Sequence, residues 1–233
     1  MLEIIRIHNE LMGTYGDRGN ADVLLYHAKA RRISARVTDI SYKEAIPKDG
    51  DIYLLGGAED AAQLLSLQAL RKGSVLAKAA HKGATVLAIC AGFQLIGESY
   101  ETRDATHVGL GLLDVKTIPG NKRYVGDIAI RSSLLEAPLT GFENHSSQTI
   151  LGSDALPFGN VLQGHGNGES GFDGAMSVTK KENIFGTYLH GPILARNPEF
   201  ADLLLERATG SQLPEFEDEL AGRYAKWRRS FIK

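Results

Sequence analysis

Between residues 2 and 96, short β-branched runs alternate with longer stretches of helical period, and this alternation limits the fold more than any other feature. Residues 2–8 (LEIIRIH), 35–40 (ARVTDI), 51–55 (DIYLL) and 85–89 (TVLAI) read as strands. Residues 18–32 read as a helix with Leu24, Leu25 and Ala28 on one face, and 59–82 as a helical stretch broken near Gly73-Ser74. Strands joined through helices pair in parallel, because the return path must cross a face of the sheet. The run TVLAI is almost wholly apolar, as expected of a strand covered by helices on both faces. The expected class is α/β, with a mostly parallel sheet flanked by helices.

The second half reads differently. Strand-like runs at 113–118, 124–130, 175–178 and 184–189 are separated by turn-rich segments, and 164–174 (GHGNGESGFDG) is dense in Gly, Asn and Asp. Such runs predict an antiparallel extension beside the parallel sheet. Asn197-Pro198-Glu199 sets a capping residue, a proline at the first helical position and an acid in the first turn, opening a helix to about residue 209. A last helix, at about residues 214–231, places Phe216, Leu220, Trp227 and Phe231 near one face. That face is expected to pack on the protein. The alternative is contact of Lys226, Trp227, Arg228 and Arg229 with a partner or an anionic membrane surface. No linker or repeat is evident in residues 1–233, so a single domain is expected.

Several function classes drop out on composition. The net charge of −2 gives no basic excess of the kind a nucleic-acid surface shows. No apolar run approaches the roughly 20 residues of a membrane span, and MLEIIRIHNE lacks the layout of a secretion signal. A single cysteine forms neither an intrachain disulfide nor a multi-thiolate zinc site, so a cytoplasmic chain without a metal is expected. No G-x-x-x-x-G-K-[ST] loop for ATP phosphates occurs.

Cys90 stands where the strand TVLAI stops and the helical pattern AGFQLIGESY starts. A nucleophile on such a turn needs small neighbours, supplied here by Ala88, Ala91 and Gly92. The start of a helix also favours a thiolate. A lone cysteine ending a core strand is equally a packing residue, and the residues alone leave both readings open. A cysteine nucleophile requires a base. Of the seven histidines, His190 ends an apolar strand as Cys90 does, with His145 as its rival.

Four ordered segments carry a family resemblance: Tyr15-Gly16-Asp17-Arg18-Gly19-Asn20, residues 90–97, Gly141-Phe142-Glu143-Asn144-His145, and residues 186–194 (GTYLHGPIL). The segment 109–114 (GLGLLD) lies between them. Ala88-Ile89-Cys90-Ala91-Gly92-Phe93-Gln94 resembles the nucleophile segment of class I glutamine amidotransferases, which implies a flavodoxin-like fold. Gly186-Thr187-Tyr188-Leu189-His190-Gly191 resembles the base segment of their cobyric-acid-synthase-like branch. The whole series resembles the glutaminase subunits of lipid II isoglutaminyl synthase, the GatD family.

This resemblance implies Cys90 as nucleophile and His190 as base, with His145 shaping the pocket. It implies that Gln94, one helical turn past Cys90, turns its amide toward the substrate, although a solvated helical glutamine is the alternative. Leu54-Leu55-Gly56-Gly57 resembles the strand and glycine pair that supplies one oxyanion N–H, here from Gly57, with Ala91 giving the other. A glycine pair after a strand is also a common turn. Lys122 and Arg123 both offer a cation for the α-carboxylate of glutamine, and the resemblance selects Arg123.

Members of that family pair with MurT, an ATP-dependent Mur-ligase-like subunit. The implied division is that this chain holds no cofactor and releases ammonia from L-glutamine. The partner then holds ATP and metal and amidates the α-carboxylate of D-glutamate in the lipid II stem peptide to D-isoglutamine. The rivals are an amidotransferase for a cobyric-acid-like acceptor, a related cysteine hydrolase such as a γ-glutamyl hydrolase, and a scaffold without turnover. One departure stands out. Many class I enzymes carry Glu two residues past the catalytic histidine, where this chain has Pro192. Either the site works as a Cys–His dyad or an acid comes from elsewhere; the expectation is that a partner subunit supplies it and that glutaminase activity depends on the complex.

Overall fold

The computed structural model describes residues 1–178 and 183–232. In chain order, β1 (Leu2–Ile7), α1 (Gly19–Ala30), β2 (Ala35–Ile40), β3 (Ile52–Leu55), α2 (Asp60–Leu70), α3 (Val75–His81), β4 (Thr85–Ile89) and α4 (Ala91–Ile96) build the first part. They are followed by β5 (Ser99–Glu101), β6 (Thr106–Val108), β7 (Val115–Arg131), β8 (Leu139–Leu151), β9 (Gly159–Gln163), β10 (Phe172–Asp173), β11 (Ala175–Val178) and β12 (Asn183–Thr187). The chain then runs through α5 (Ile193–Arg196), α6 (Pro198–Thr209) and α7 (Glu219–Arg229).

The main sheet has the order β11-β12-β4-β3-β1-β2, parallel except where β11 joins antiparallel to β12. The α/β expectation holds. Its central strands β3, β4 and β12 are buried at every residue, because α-helical layers leave neither face to water. β2 at the edge is exposed or half-buried at every residue except its last, Ile40. The helical stretch breaks where expected, with Gly73 at φ 77° and Ser74 at φ 51° between α2 and α3.

A second sheet, β10-β9-β7-β5-β6, carries β8 antiparallel on β7. The runs read separately at 113–118 and 124–130 are one strand, β7, whose register shifts between Pro119 and Tyr124. β8 has no counterpart in the sequence reading. Its LTGFENHSSQTIL turns polar Glu143, His145 and Thr149 inward, so the hydrophobic alternation that marks a strand is absent. The two sheets meet at a bridge: Phe142 N–H donates to the His190 carbonyl over 3.1 Å, and His190 N–H to that of Phe142 over 2.8 Å.

Two helix starts differ from expectation. Asn197 opens α6 but caps it with no side-chain bond; its amide instead holds both backbone groups of Thr140 and the Ile193 carbonyl. The last helix begins at Glu219 rather than near 214, with Asp218 accepting from Ala221 N–H at 2.9 Å. The residues before it lie against α1, where Arg31 Nε donates to the Pro214 carbonyl and the guanidinium covers the Phe216 ring. Among the described residues, no helix is long and apolar enough to cross a membrane.

Candidate active site

β12, β4 and β3 are neighbours in the main sheet, and the segments leaving their carboxyl ends carry His190, Cys90 and Gly57. Ligands of open parallel sheets gather along this edge. Cys90 occupies the turn itself with φ 53° and ψ −110°, a conformation costing roughly 1–3 kcal/mol in a residue with a Cβ. Three backbone bonds hold it there: Cys90 N–H to Thr187 O at 2.8 Å, Gly92 N–H to Gly56 O at 3.1 Å, and Gln94 N–H to Cys90 O at 3.0 Å. Gly92 has to be glycine, since a Cβ there would meet Leu55 Cβ at 2.8 Å and two carbonyl oxygens at 2.9 and 3.0 Å. The small residues around Cys90 thus serve the close passage of α4 over the end of β3.

His190 is 1% exposed and its Nδ1 lies 2.9 Å from Asp17 Oδ2. Burial by itself would lower its pKa. Hydrogen bonds and charge from Asp17 and the adjacent Cys90 outweigh burial and raise it to about 10. The carboxylate therefore comes from this chain, which corrects the expectation that a partner must supply it. Five of the six residues 15–20 contribute. Tyr15 (φ 58°) and Gly16 (φ 81°) make the turn, and the Tyr15 ring covers the imidazole at 4.8 Å. Gly19 leaves room for Pro192, whose Cγ would stand 2.6 Å from any Cβ there. Asn20 Oδ1 accepts from Leu194 N–H at 3.0 Å. The proline that replaces the usual glutamate thus packs on the turn that presents Asp17.

Gly57 and Gln94 require correction. The single hydrogen of the Gly57 amide points at Asp17 Oδ2, 2.9 Å away, so it cannot also serve an oxyanion. Glycine is needed there for another reason: a Cβ would lie 2.9 Å from His190 Cε1. Gln94 sits one turn past Cys90 as expected, but its amide is already committed. Its Oε1 accepts from Gln63 Nε2 at 2.8 Å, and its Nε2 donates to Ser147 Oγ at 3.0 Å and the Tyr188 hydroxyl at 3.4 Å. Gln94 is part of the wall. Ala91 opens α4, where a helix leaves its first N–H groups without an intrahelical acceptor.

His145 stacks on Tyr188 with centroids 3.8 Å apart, and burial pushes its pKa down to about 3. A ring that neutral is a poor base near pH 7, which separates it from His190. Arg123 is exposed and sets Nε and Nη2 on Asn144 Oδ1 at 3.1 and 2.9 Å; Lys122 reaches Glu169 at 3.8 Å on the surface. Glu143, the acid of the same segment, accepts from the backbone of His165 and Gly166 and fixes that loop. Asp173 was not singled out in the sequence. Fully buried, with burial raising its pKa to about 7, it accepts from Thr187 Oγ1 and Tyr188 N–H and braces the strand end that carries His190. Among the described residues, no group of three or more His, Cys, Asp or Glu side chains is placed to hold a metal.

The family model of the CobB/CobQ-like glutamine amidotransferase domain matches residues 3–198. Lipid II isoglutaminyl synthase (glutamine-hydrolyzing) subunit GatD of Staphylococcus aureus is 39% identical over 210 residues, 89% of this chain and 84% of the relative. The subunit of the same name from Streptococcus pneumoniae is 35% identical, covering 97% of this chain and 89% of the relative. Among solved structures, a glutamine amidotransferase superposes with a TM-score of 0.56 at 13% identity, over 88% of this chain and 98% of its own, which speaks to the fold alone.

Proposed function

The chain belongs to the CobB/CobQ-like glutamine amidotransferase family, and on that premise we propose that it hydrolyses L-glutamine through Cys90 and passes the ammonia to a companion ligase subunit. The observation that carries the reading is the Asp17–His190 pair beside a cysteine held on a strained turn.

His190 carries the proton of Cys90 on a ring whose charge Asp17 stabilises, and Cys90 Sγ attacks the side-chain carbonyl carbon of glutamine. The oxyanion forms beside Ala91, whose N–H is the donor. His190 returns the proton to the departing nitrogen, ammonia leaves, and a thioester remains on Cys90. Water then attacks the thioester with His190 as base, releasing glutamate and restoring the thiol. Asp17 holds the imidazole by Nδ1, leaving Nε2 for these transfers, and stabilises the charged ring. Arg123 is assigned to the α-carboxylate of glutamine, whose charge and planar geometry suit a guanidinium.

The reading of the acceptor is supported by the two relatives, which are named as subunits of a lipid II isoglutaminyl synthase. In this reading the companion is a MurT-like ligase in the cytoplasm that holds ATP and metal. It converts the α-carboxylate of D-glutamate in the lipid II stem peptide to the amide. The test has two stages. The isolated chain should release ammonia from glutamine, and Cys90→Ala and His190→Ala should each abolish it. With the ligase subunit, ATP and lipid II, glutamine should then support amidation in the wild type, while only added ammonia should support it with Cys90→Ala. Hydrolysis surviving Cys90→Ala would overturn the first stage, and amidation of another acid but not of lipid II the second.

A further inference from the structure

α7 faces the wrong way for an ordinary surface helix, which turns its apolar stripe inward. Its inner side is formed by Ala225, fully buried, and by Arg228 and Arg229. Arg228 pairs with Asp127, and Arg229 with Glu199 at 2.8 Å and the Pro138 carbonyl at 2.9 Å. Its outer side carries Leu220, Tyr224 and Trp227, with Phe231 just beyond its end, exposed by 78, 40, 53 and 53%. Those positions are spaced by four, three and four residues, so they form one stripe along the helix. The expectation that the apolar face packs on the protein is thus reversed. Charge pairs fasten the helix, and rings point to solvent.

The rings are already assembled, with Tyr224 5.9 Å from Trp227 and Trp227 5.0 Å from Phe231 in an edge-on contact. Large aromatic side chains whose positions are set before contact lose little freedom on association, and Trp and Tyr dominate binding energy at interfaces. Exposed Lys226 flanks them with positive charge, and exposed Arg223 beside them pairs with Glu219 of the same helix at 3.9 Å. The helix also sits beside the active site. It packs on α5, which starts three residues past His190, and on β8, whose Phe142 is bridged to His190. Asp127 joins Arg196 of α5 and Arg228 of α7, tying the two helices to β7.

We propose that this outward stripe of α7 is the seat of the ammonia-accepting subunit, which meets it with an apolar groove rimmed by acidic side chains. The inference rests on the function proposed above, since that reading supplies the companion. A separate observation favours a subunit over other occupants. The match to the amidotransferase domain ends at residue 198, before α7, whereas the pneumococcal relative, named as a subunit, matches 97% of this chain and so must extend over most of α7. The helix is shared with a protein named as one part of an enzyme and lies outside the domain match.

The test mixes the purified full chain with the ATP-dependent ligase subunit of the same organism and measures affinity by titration calorimetry. Trp227→Glu and Leu220→Glu should each weaken binding at least about tenfold, while exposed Lys72→Glu on the connection between α2 and α3 should stay within about twofold. All three variants should keep the wild-type melting temperature and glutamine hydrolysis. Wild-type affinity in both α7 variants would overturn the placement and leave the proposed function standing. A wild-type chain that does not bind the ligase subunit would overturn the reading that supplies the companion, and the placement with it. Loss of a self-dimer, or of sedimentation with phosphatidylglycerol vesicles, in Trp227→Glu without loss of ligase binding would assign the stripe to those occupants instead.

Discussion

The active-site corner and the outer face of α7 break the ordinary rule of burial in opposite directions. At the corner, Asp17 and His190 lie side by side, each side chain 1% exposed; on α7, Leu220 and Trp227 are 78% and 53% exposed. Removing a charged pair from water costs several kcal/mol per ion before their attraction repays it. Leaving apolar area in water forgoes roughly 25 cal/mol for each Å². Neither arrangement is what stability alone favours. The corner is closed and polar, suited to a small charged molecule and proton transfer; the helix face is open and aromatic, suited to another protein. Other polar groups are buried too, Asp173 and Glu143 among them, but they brace the strand end and the loop around this same corner, so the two departures mark where function has to be sought.

The largest effect is expected at Asp17. Asp17→Asn keeps the shape and removes the charge that holds the His190 ring, so glutamine hydrolysis should fall by roughly 10²-fold or more. Ammonia release under saturating glutamine measures it, and a rate within a few-fold of wild type would break the assignment. The same pair predicts a pH dependence. Folded His190 has its pKa raised to about 10 from an ordinary value near 6.5, so the charged ring stabilises the fold. That stability is fully present below about pH 6.5 and is lost as pH rises toward about 10. Urea midpoints should therefore decline from pH 7 to 10 in the wild type, and the decline should be shallower in Asp17→Asn. Parallel profiles would remove the pair from the account.

Gly186→Ala comes next. A Cβ on this β12 residue would stand 2.0 Å from Phe93 Cδ2, inside a strand with no exposed position. Phe93 is fully buried and meets Tyr188 edge-on at 5.5 Å, so it cannot yield without shifting the wall of the site. Overpacking of this kind costs about 1–3 kcal/mol, and the variant should melt several degrees lower with slower hydrolysis. An unchanged melting temperature would show that α4 is looser than its packing implies.

How much of this was legible in the sequence differs between the two regions for physical reasons. β4 and the turn at Cys90 could be read because a strand buried on both faces and a crowded turn leave local traces, TVLAI and the small residues after it. His190 followed from the same strand-end logic. Asp17 did not, because it lies 173 residues from its partner and only the fold brings them together. Pro192 misled in the same way: local spacing showed an acid missing, while the acid arrives from the turn that Pro192 packs against. The Gly57 amide and the Gln94 side chain sat at family positions, yet their hydrogen bonds depend on Asp17, Gln63, Ser147 and Tyr188, which no spacing reveals. On α7 the apolar spacing was visible, but a period shows that one face is apolar and not which way it points. Arg228 and Arg229 decide that through Asp127 and Glu199.

The smallest expected effect separates the two regions most cleanly. Leu220 is 78% exposed, so cutting it to Ser removes little buried area, and stability should change by no more than about 0.5 kcal/mol. The helix should keep its start, because Asp218 caps Ala221 through a bond in which Leu220 takes no part. Urea unfolding of the isolated chain measures this. A loss above about 1 kcal/mol would mean that the stripe packs against this same chain in solution, and α7 would then follow the ordinary rule of burial. A midpoint equal to wild type, together with weaker binding of the ligase subunit, would mean that the apolar area at Leu220 contributes to association and not to the fold.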